Sequence, residues 1–450
     1  MAFKCPYCDN WYRDKNILKS HLMLYQFYPC LTCADEFHTI NSLENHCDNA
    51  IHRPPPLAPE SLNEKLQLYL EEAYYMEKVV VTRTDRRKSR VLVLNLLNKI
   101  MADVTKQQYG EIYSATIQPA GSTSTQTKIV KADEFDFNIV LKQKFHSFKH
   151  HGKTVSYDLA KHAFQPLDKH IGMVKVWNDI DNDGIDIPNG YCTPEHSNIA
   201  AHNLTRLSHN KELIPRWVQQ DLYKKILNAL NGRKDIQLKC VPTGPAITMI
   251  ITHLNHCSNE KHDISIDLSA SIETNIPVGI YGWPRPETRK VLSTEQIENI
   301  KKAGIILVPK HERFWYISFS KAVTSLMQFI DGADECRRIC HKILKRDFMT
   351  WQSQSDHGLK GISTYLFKHH LFWMNEDKQH LGKDYWAKRN IGECYIDMLQ
   401  SLEKQCQDKF LPNYFNTKEN ILAKKTDSVL KELANCCRER RLKLLHIKMA

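Results

Sequence analysis

Ala120-Gly121-Ser122-Thr123-Ser124, followed after a short interval by Glu134-Phe135-Asp136-Phe137-Asn138-Ile139-Val140-Leu141, is the most informative part of this 450-residue chain. Residues two apart in a strand share a face, so Glu134 and Asp136 point together while Phe135, Phe137, Ile139 and Leu141 pack behind them. Two carboxylates therefore face one cavity. The Gly-Ser turn upstream suits a triphosphate: glycine lets backbone N–H groups approach an anion, and the serine hydroxyl adds a donor. A third carboxylate is needed to hold two hard cations for in-line attack on an α-phosphate. Asp267 supplies it, in the alternating strand Asp263-Ile264-Ser265-Ile266-Asp267-Leu268-Ser269, whose apolar residues face the other way. Any one of these motifs alone is a weak signal. Their ordered combination carries the reading, with the attacking hydroxyl deprotonated near Asp267 and pyrophosphate leaving on the second metal.

Strands of this kind, Phe135 to Leu141, Ile264 to Leu268, Ile305 to Val308 and Trp315 to Phe319, fall between about 110 and 320. Before them the pattern is helical from Ser61 to about Tyr109, with Ser61 and Glu64 as a capping box and Leu66, Tyr69, Leu70, Ala73 and Tyr74 on one face. Within it Arg83, Arg86, Arg87, Lys88 and Arg90 precede the apolar series Val91, Leu94, Leu97, Ile100 and Met101, which predicts a long helix with a basic outer face. From 321 to 450 the pattern is almost entirely helical. The expected fold class is α+β: a bilobed arrangement with a mixed sheet and a long spine helix over 61–320, then a helical lobe. A stiff proline linker at 53–60 joins this body to two small ββα units at 1–52.

The second of those units reads Cys30-x2-Cys33-x12-His46-x5-His52, a tetrahedral Zn2+ shell without which so short a unit cannot fold. The first repeats the frame as Cys5-x2-Cys8-x12-His21 and has no fourth ligand within the usual spacing. Fingers that read DNA present basic helices to the major groove. Through His52, however, there are four basic and six acidic residues, −2, so with a net charge of +11 the body carries +13. A protein partner or autoregulation suits the fingers better than base readout, and a polyanionic partner belongs to the body.

Hydrophobic content of 42% and charged content of 25% are those of a soluble globular protein, and no apolar run approaches the ~18 residues that span a bilayer, which excludes a membrane role. The first residues lack the pattern of a signal peptide, so the expectation is a reducing, cytoplasmic setting with a nuclear pool left open. There the 14 cysteines are metal ligands or core thiols.

These residues resemble the cyclic GMP-AMP synthase-like receptors of the male-abnormal (Mab) nucleotidyltransferase family. The resemblance runs from about 83 to 425 and includes Trp283-Pro284, Leu307-Val308-Pro309-Lys310, Trp315-Tyr316-Ile317-Ser318-Phe319-Ser320, Cys336-Arg337-Arg338-Ile339-Cys340, Ser363-Thr364-Tyr365 and Leu411-Pro412-Asn413-Tyr414-Phe415. It implies an enzyme of innate immunity that joins ATP and GTP into a cyclic dinucleotide once double-stranded nucleic acid binds its back face. By residue, it implies phosphate contact at Gly121 and Ser122, Mg2+ or Mn2+ ligands at Glu134, Asp136 and Asp267, and a base-stacking Tyr365. It also implies nucleotide contacts at Ser320, Lys345 and Thr364.

Two departures stand out. Tyr316 replaces a basic side chain that contacts guanine in cyclic GMP-AMP synthase, and the chain runs from Ser320 to Cys336 without the His/Cys insertion of the vertebrate zinc thumb. The second favours RNA over DNA, read by shape and phosphate contacts along Arg83, Arg86, Arg87, Lys88 and Arg90. The bland reading of those five, and of Arg337, Arg338, Lys342, Lys345 and Arg346, is a solvated helix face. The tail residues Arg438, Arg440, Arg441, Lys443 and Lys448 read first as a solvated amphipathic end. A catalytically inactive Mab-type binding protein is the alternative function; three mutually repelling carboxylates argue against it.

Overall fold

The computed structural model describes residues 62–76, 79, 83–125, 127–129, 133–142, 204, 206–209, 212–233, 235–240, 246–255, 260–274, 278–331, 335–354 and 359–449. Before residue 60 and between 147 and 195 it describes short strands only. The chain divides into two compact units, Met1–Leu68 with Ile447–Ala450, and Tyr69–His446. In the first, Phe3–Lys4 pairs with Trp11–Tyr12 and Tyr28–Pro29 with Glu36–Phe37, both antiparallel. Cys5, Cys8, His21, Cys30, Cys33, His46 and His52 lie outside the described residues, as does Ser61 of the expected capping box.

The predicted helix from Ser61 to Tyr109 is interrupted. The chain is α-helical over Leu62–Leu68 and π-helical over Tyr69–Met76, and the spine helix α1 covers Arg83–Lys106. The sequence between them, Val79-Val80-Val81-Thr82, is β-branched throughout, which disfavours helix. The apolar stripe of α1 is Val93, Leu97, Ile100, Met101 and Val104, all buried, whereas Val91 is exposed. This follows the i, i+4, i+7, i+11 spacing of one helical face and corrects the series that began at Val91.

After α1 come β1 (Tyr113–Ala120) and β2 (Glu134–Leu141), then helix α2 (Pro215–Ala229) and strands β3 (Ile236–Cys240), β4 (Ile247–Asn255) and β5 (Glu260–Glu273). Helix α3 (Thr294–Ala303), strands β6 (Ile306–Val308) and β7 (Trp315–Ser318) and helix α4 (Ser320–Ile330) complete the core. Neighbouring strands run β3-β4-β5-β6-β7 antiparallel, while β2 lies parallel to β5 and antiparallel to β1, which makes the sheet mixed. Phe135, Phe137, Ile264, Ile266 and Leu268 are buried on one face. Tyr113 donates to Asp221 Oδ2 at 2.8 Å and to the Val218 carbonyl at 3.1 Å, fastening β1 to α2.

The helical lobe is α5 (Cys336–Gln354), α6 (Tyr365–Asp377), α7 (Ile391–Gln407) and α8 (Asp427–Met449). Arg285 ties it to the core: its guanidinium donates to both Glu376 oxygens at 3.0 and 2.9 Å and to the Tyr414 carbonyl at 2.7 Å, between the Trp373 and Tyr414 rings. Of the five cations singled out on α5, Arg346 is half-buried and the other four are bonded to the protein's own oxygens. Arg338 donates to the Thr125 and Met327 carbonyls, Lys342 to the Tyr75 hydroxyl and Lys345 to the Thr127 carbonyl, and all three are buried. Arg337 pairs with Asp331 at 2.7 Å. Neither a nucleic-acid surface nor a solvated face describes these four.

The tail is an amphipathic end, with Arg438 and Lys443 exposed, but it is also ion-paired to the lobe. Arg438 and Arg441 both pair with Glu403, at 2.7 and 3.0 Å, and Arg440 pairs with Asp347 at 2.8 Å. Lys448 has no described side chain. Cys336, Cys340, Cys394, Cys406 and Cys437 are buried core thiols.

Asp347 is a hub, accepting from the hydroxyls of Tyr74 and Tyr395 and from Arg440 while only 4% exposed. Removing one partner of a buried ion pair leaves the other charge uncompensated. Asp347→Ala should therefore cost about 3 to 5 kcal/mol in urea unfolding. Asp347→Leu combined with Arg440→Met should recover part of that loss; strictly additive costs would show that the pair is not coupled.

Candidate active site

Strand register builds the site. Asp136 pairs across to Ala120 on β1 and to Asp267 on β5, and Asp267 pairs with Thr248 on β4, so Ala120, Asp136, Asp267 and Thr248 form one row across four strands. Glu134 stands two residues before Asp136, opposite Ser265, on the same face. The Thr248 hydroxyl donates to Asp267 Oδ1 at 2.7 Å and fixes that carboxylate.

The Gly121 turn presses against this row. Gly121 has φ +63°, and a Cβ there would lie 1.8 Å from Asp136 Oδ2, so both backbone and space require glycine. Its carbonyl accepts from Ser124 Oγ and Thr125 Oγ1, both at 3.1 Å, and from Lys368 Nζ at 3.3 Å. The Ser122 carbonyl accepts from Thr127 N at 2.9 Å. Lys345 grips the end of the same segment through the Thr127 carbonyl at 2.8 Å.

Three acids are balanced here by three lysines. Burial, then the charges of Glu134 and Asp267, push Asp136 up to about 6, against the pull of Lys368 and Lys128. Burial also raises Asp267, opposed by the Thr248 hydrogen bond. Burial acts upward on Glu134 too, but the hydrogen bond and charge of Lys128 and the charge of Lys345 outweigh it and hold Glu134 below its ordinary value. Burial, with the neighbouring lysines, lowers Lys345 to about 7, and burial lowers Lys368 to about 8.

A cleft of about 260 Å³ opens over the row, lined by Gly121, Asp136, Asp267, Ser320, Tyr365 and Lys368 among others. Of the residues singled out in the sequence, Ser122, Glu134, Lys345 and Thr364 do not line this cleft. At its far end Lys310 Nζ lies 4.1 Å from the Tyr316 ring centroid and 5.7 Å from that of Tyr365. Tyr316 donates to Glu419 Oε1 at 2.9 Å, and Asn413 donates to Glu419 Oε2 at 2.8 Å. Arg83, Arg86, Arg87 and Lys88 stand in the first turns of α1 with side chains outside the described set, and Arg90 is exposed.

An all-oxygen set of carboxylates suits a hard divalent cation. Among the described residues, however, no three His, Cys, Asp or Glu side chains are gathered closely enough to hold a metal. Glu134 is bonded instead to Lys128 Nζ at 2.7 Å. Lys128, Lys368, Thr248 and Glu419 carry no motif in the sequence, and Lys310 stands there only as part of Leu307-Val308-Pro309-Lys310. Lys368 alone had a legible signal, three residues after Tyr365 on one helix face.

Because its folded-state value lies above that of a free Asp, ~3.9, ionised Asp136 destabilises the metal-free protein as pH rises through about 4 to 6. Asp136→Asn should therefore raise stability at pH 7.5 by about 1 to 2 kcal/mol, discounted for screening because the site is only partly buried, and should raise it very little near pH 4. Paired urea titrations check this; an equal gain at both pH values would refute the assignment.

With that geometry in place, comparison with known proteins is specific. Residues 123–328 match the Mab-21 protein nucleotidyltransferase domain, and residues 336–439 match the Mab-21 protein HhH/H2TH-like domain. The chain is 29% identical over 156 residues to protein mab-21-like 3 of Danio rerio, covering 34% of this chain and 38% of that protein. It is 25% identical over 157 residues to mab-21-like 3 of Xenopus laevis, covering 34% and 40%. The chain thus spans about two fifths of the length of these relatives. Over 372 residues it is 21% identical to a cyclic GMP-AMP synthase-like receptor of Ctenocephalides felis, covering 76% of each chain. No helix among the described residues is long and apolar enough to cross a membrane. The boundary between the two matched domains falls between α4 and α5, where sheet core gives way to helical lobe, and the chain belongs to the Mab-21 family of nucleotidyltransferase-fold proteins.

Proposed function

We propose that this protein is a metal-dependent nucleotidyltransferase that makes a cyclic dinucleotide from ATP and GTP when double-stranded nucleic acid, RNA in preference to DNA, is bound. The observation that carries this reading is the row of Asp136 and Asp267 on adjacent strands with Gly121 against it, in a chain similar to a cyclic GMP-AMP synthase-like receptor over 76% of both lengths. Glu134, Asp136 and Asp267 would hold Mg2+ or Mn2+, which would supply Lewis-acid charge for phosphoryl transfer. The Gly121–Ser122 turn receives the triphosphate, with Lys368 and Lys345 as cations beside it. Tyr365 offers its ring to a base. Asp267, oriented by Thr248, takes the proton of the attacking hydroxyl.

RNA is favoured because only the short connection from Ile330 to Cys336 separates α4 from α5, with no Cys/His insertion, and because α1 carries Arg83, Arg86, Arg87, Lys88 and Arg90 in its first turns. The cytoplasm, where duplex RNA signals infection, suits such a sensor. The Zn2+ fingers at 1–52 serve a protein partner or autoregulation.

A second reading, a catalytically inactive Mab-21 binding protein, draws support from one contact: Glu134 is held by Lys128 and not gathered with the other two carboxylates.

Mass spectrometry of products from all four ribonucleotides, with Mg2+ or Mn2+ and with or without duplex RNA or DNA, separates the two. The expected outcome is a cyclic dinucleotide in the presence of duplex RNA, reduced at least about 1000-fold by Asp267→Asn. Inactivity across nucleotides, metals and duplexes would establish the binding protein. Replacing Arg86, Arg87 and Arg90 together by Glu should weaken duplex binding and flatten its salt dependence by about two to three in log–log slope.

A further inference from the structure

Lys128 differs from the other two lysines of the cleft in what it binds. Lys345 and Lys368 direct their ammonium groups at backbone carbonyls, whereas Lys128 directs its own at carboxylates. Its Nζ lies 2.7 Å from Glu134 Oε2 and 3.6 Å from Asp133 Oδ1. The lysine side chain is 11% exposed and that of Glu134 is 56% exposed, so the lysine stem is packed in place and the acid reaches for it. An exposed pair between two freely moving side chains would hold no geometry. Here one partner is already ordered, and the carboxylate it binds stands beside Asp136 and Asp267, whose charges oppose its own.

Lys128 also sits on a segment held at fixed points. The carbonyls of Gly121 and Thr127, on either side of the turn, are gripped by Lys368 and Lys345 from the helical lobe. Lys128 follows Thr127 directly. A shift of the lobe against this segment therefore moves the ammonium that holds Glu134.

We propose that Lys128 is the resident cation of the carboxylate row: it occupies Glu134 while no divalent ion is bound, and it must leave Glu134 before the three acids can converge on one. An ammonium and a divalent ion carry like charge, so they compete for that carboxylate. Lys128 is then a positioning residue, and the affinity of the site for cations is set by this exchange. The inference rests on the metal-site reading above.

The test is Mn2+ binding to the full chain without nucleotide or nucleic acid, followed by electron paramagnetic resonance of the free ion. Lys128→Met keeps the stem and removes the charge; it should bind Mn2+ about tenfold more tightly than the native chain, and Lys128→Arg about as the native chain does. Native-like or weaker binding by Lys128→Met would overturn the proposal. Absence of Mn2+ binding in native and variant chains alike would overturn the metal-site reading and this inference with it. A second measurement needs no variant: acylation of Lys128 by an N-hydroxysuccinimide ester, read by peptide mass spectrometry with the exposed Lys224 as internal reference. Mn2+ should speed labelling of Lys128 several-fold relative to Lys224, and an unchanged ratio would overturn the exchange.

Discussion

The parallel pairing of β2 with β5 sets Asp136 directly beside Asp267, and much of the molecule answers to that juxtaposition. Backbone hydrogen bonds fix the register, so the two acids cannot drift apart to relieve their repulsion. Relief comes from elsewhere. Thr248 holds Asp267, and three lysines from the turn and from the helical lobe surround the row. The lobe is thereby more than a second wall to a cleft. It delivers the buried charges that make a cluster of acids tolerable.

This explains why α5 is so basic and yet so deeply packed. Arg338, Lys342 and Lys345 lie on a helix whose composition suggests a surface, but each finds an oxygen of the core or of the π-helical segment. A buried cation is expensive unless bonded, and unsatisfied carbonyls of an irregular turn are expensive too. Each solves the other's problem. The net charge of +11 therefore overstates how much positive surface the protein offers.

Much of this was legible in the sequence. Alternation of acids with Phe135, Phe137, Ile264 and Ile266 identified two sheet strands and the faces their carboxylates share, because burial on one side enforces a period of two. The helical lobe was legible from its periodicity. Partners were not: nothing in the residues themselves says that Asp136 stands opposite Asp267 and not Ser265 or Ser269, since register is a property of two strands at once. The start of the spine stripe was misplaced because Val91 and Val93 are equally apolar, and only packing against the sheet selects Val93. Lys128 was invisible for a similar reason. A lysine in a polar loop carries no mark of the carboxylate it will meet.

The row across β1, β2, β5 and β4 also bears on how this chain can change over evolutionary time. Inserting or deleting a single residue within Glu134–Asp136, or between Ile264 and Asp267, would carry an acid through the sheet to the side where Phe135 and Ile266 are buried. Length changes at these few positions are thus barred by the sheet itself. Gly121 is confined further, since any side chain there would occupy the space of Asp136 Oδ2. Within an otherwise divergent family, these constraints make the spacing of the acids a more durable ancestral mark than the identity of their neighbours.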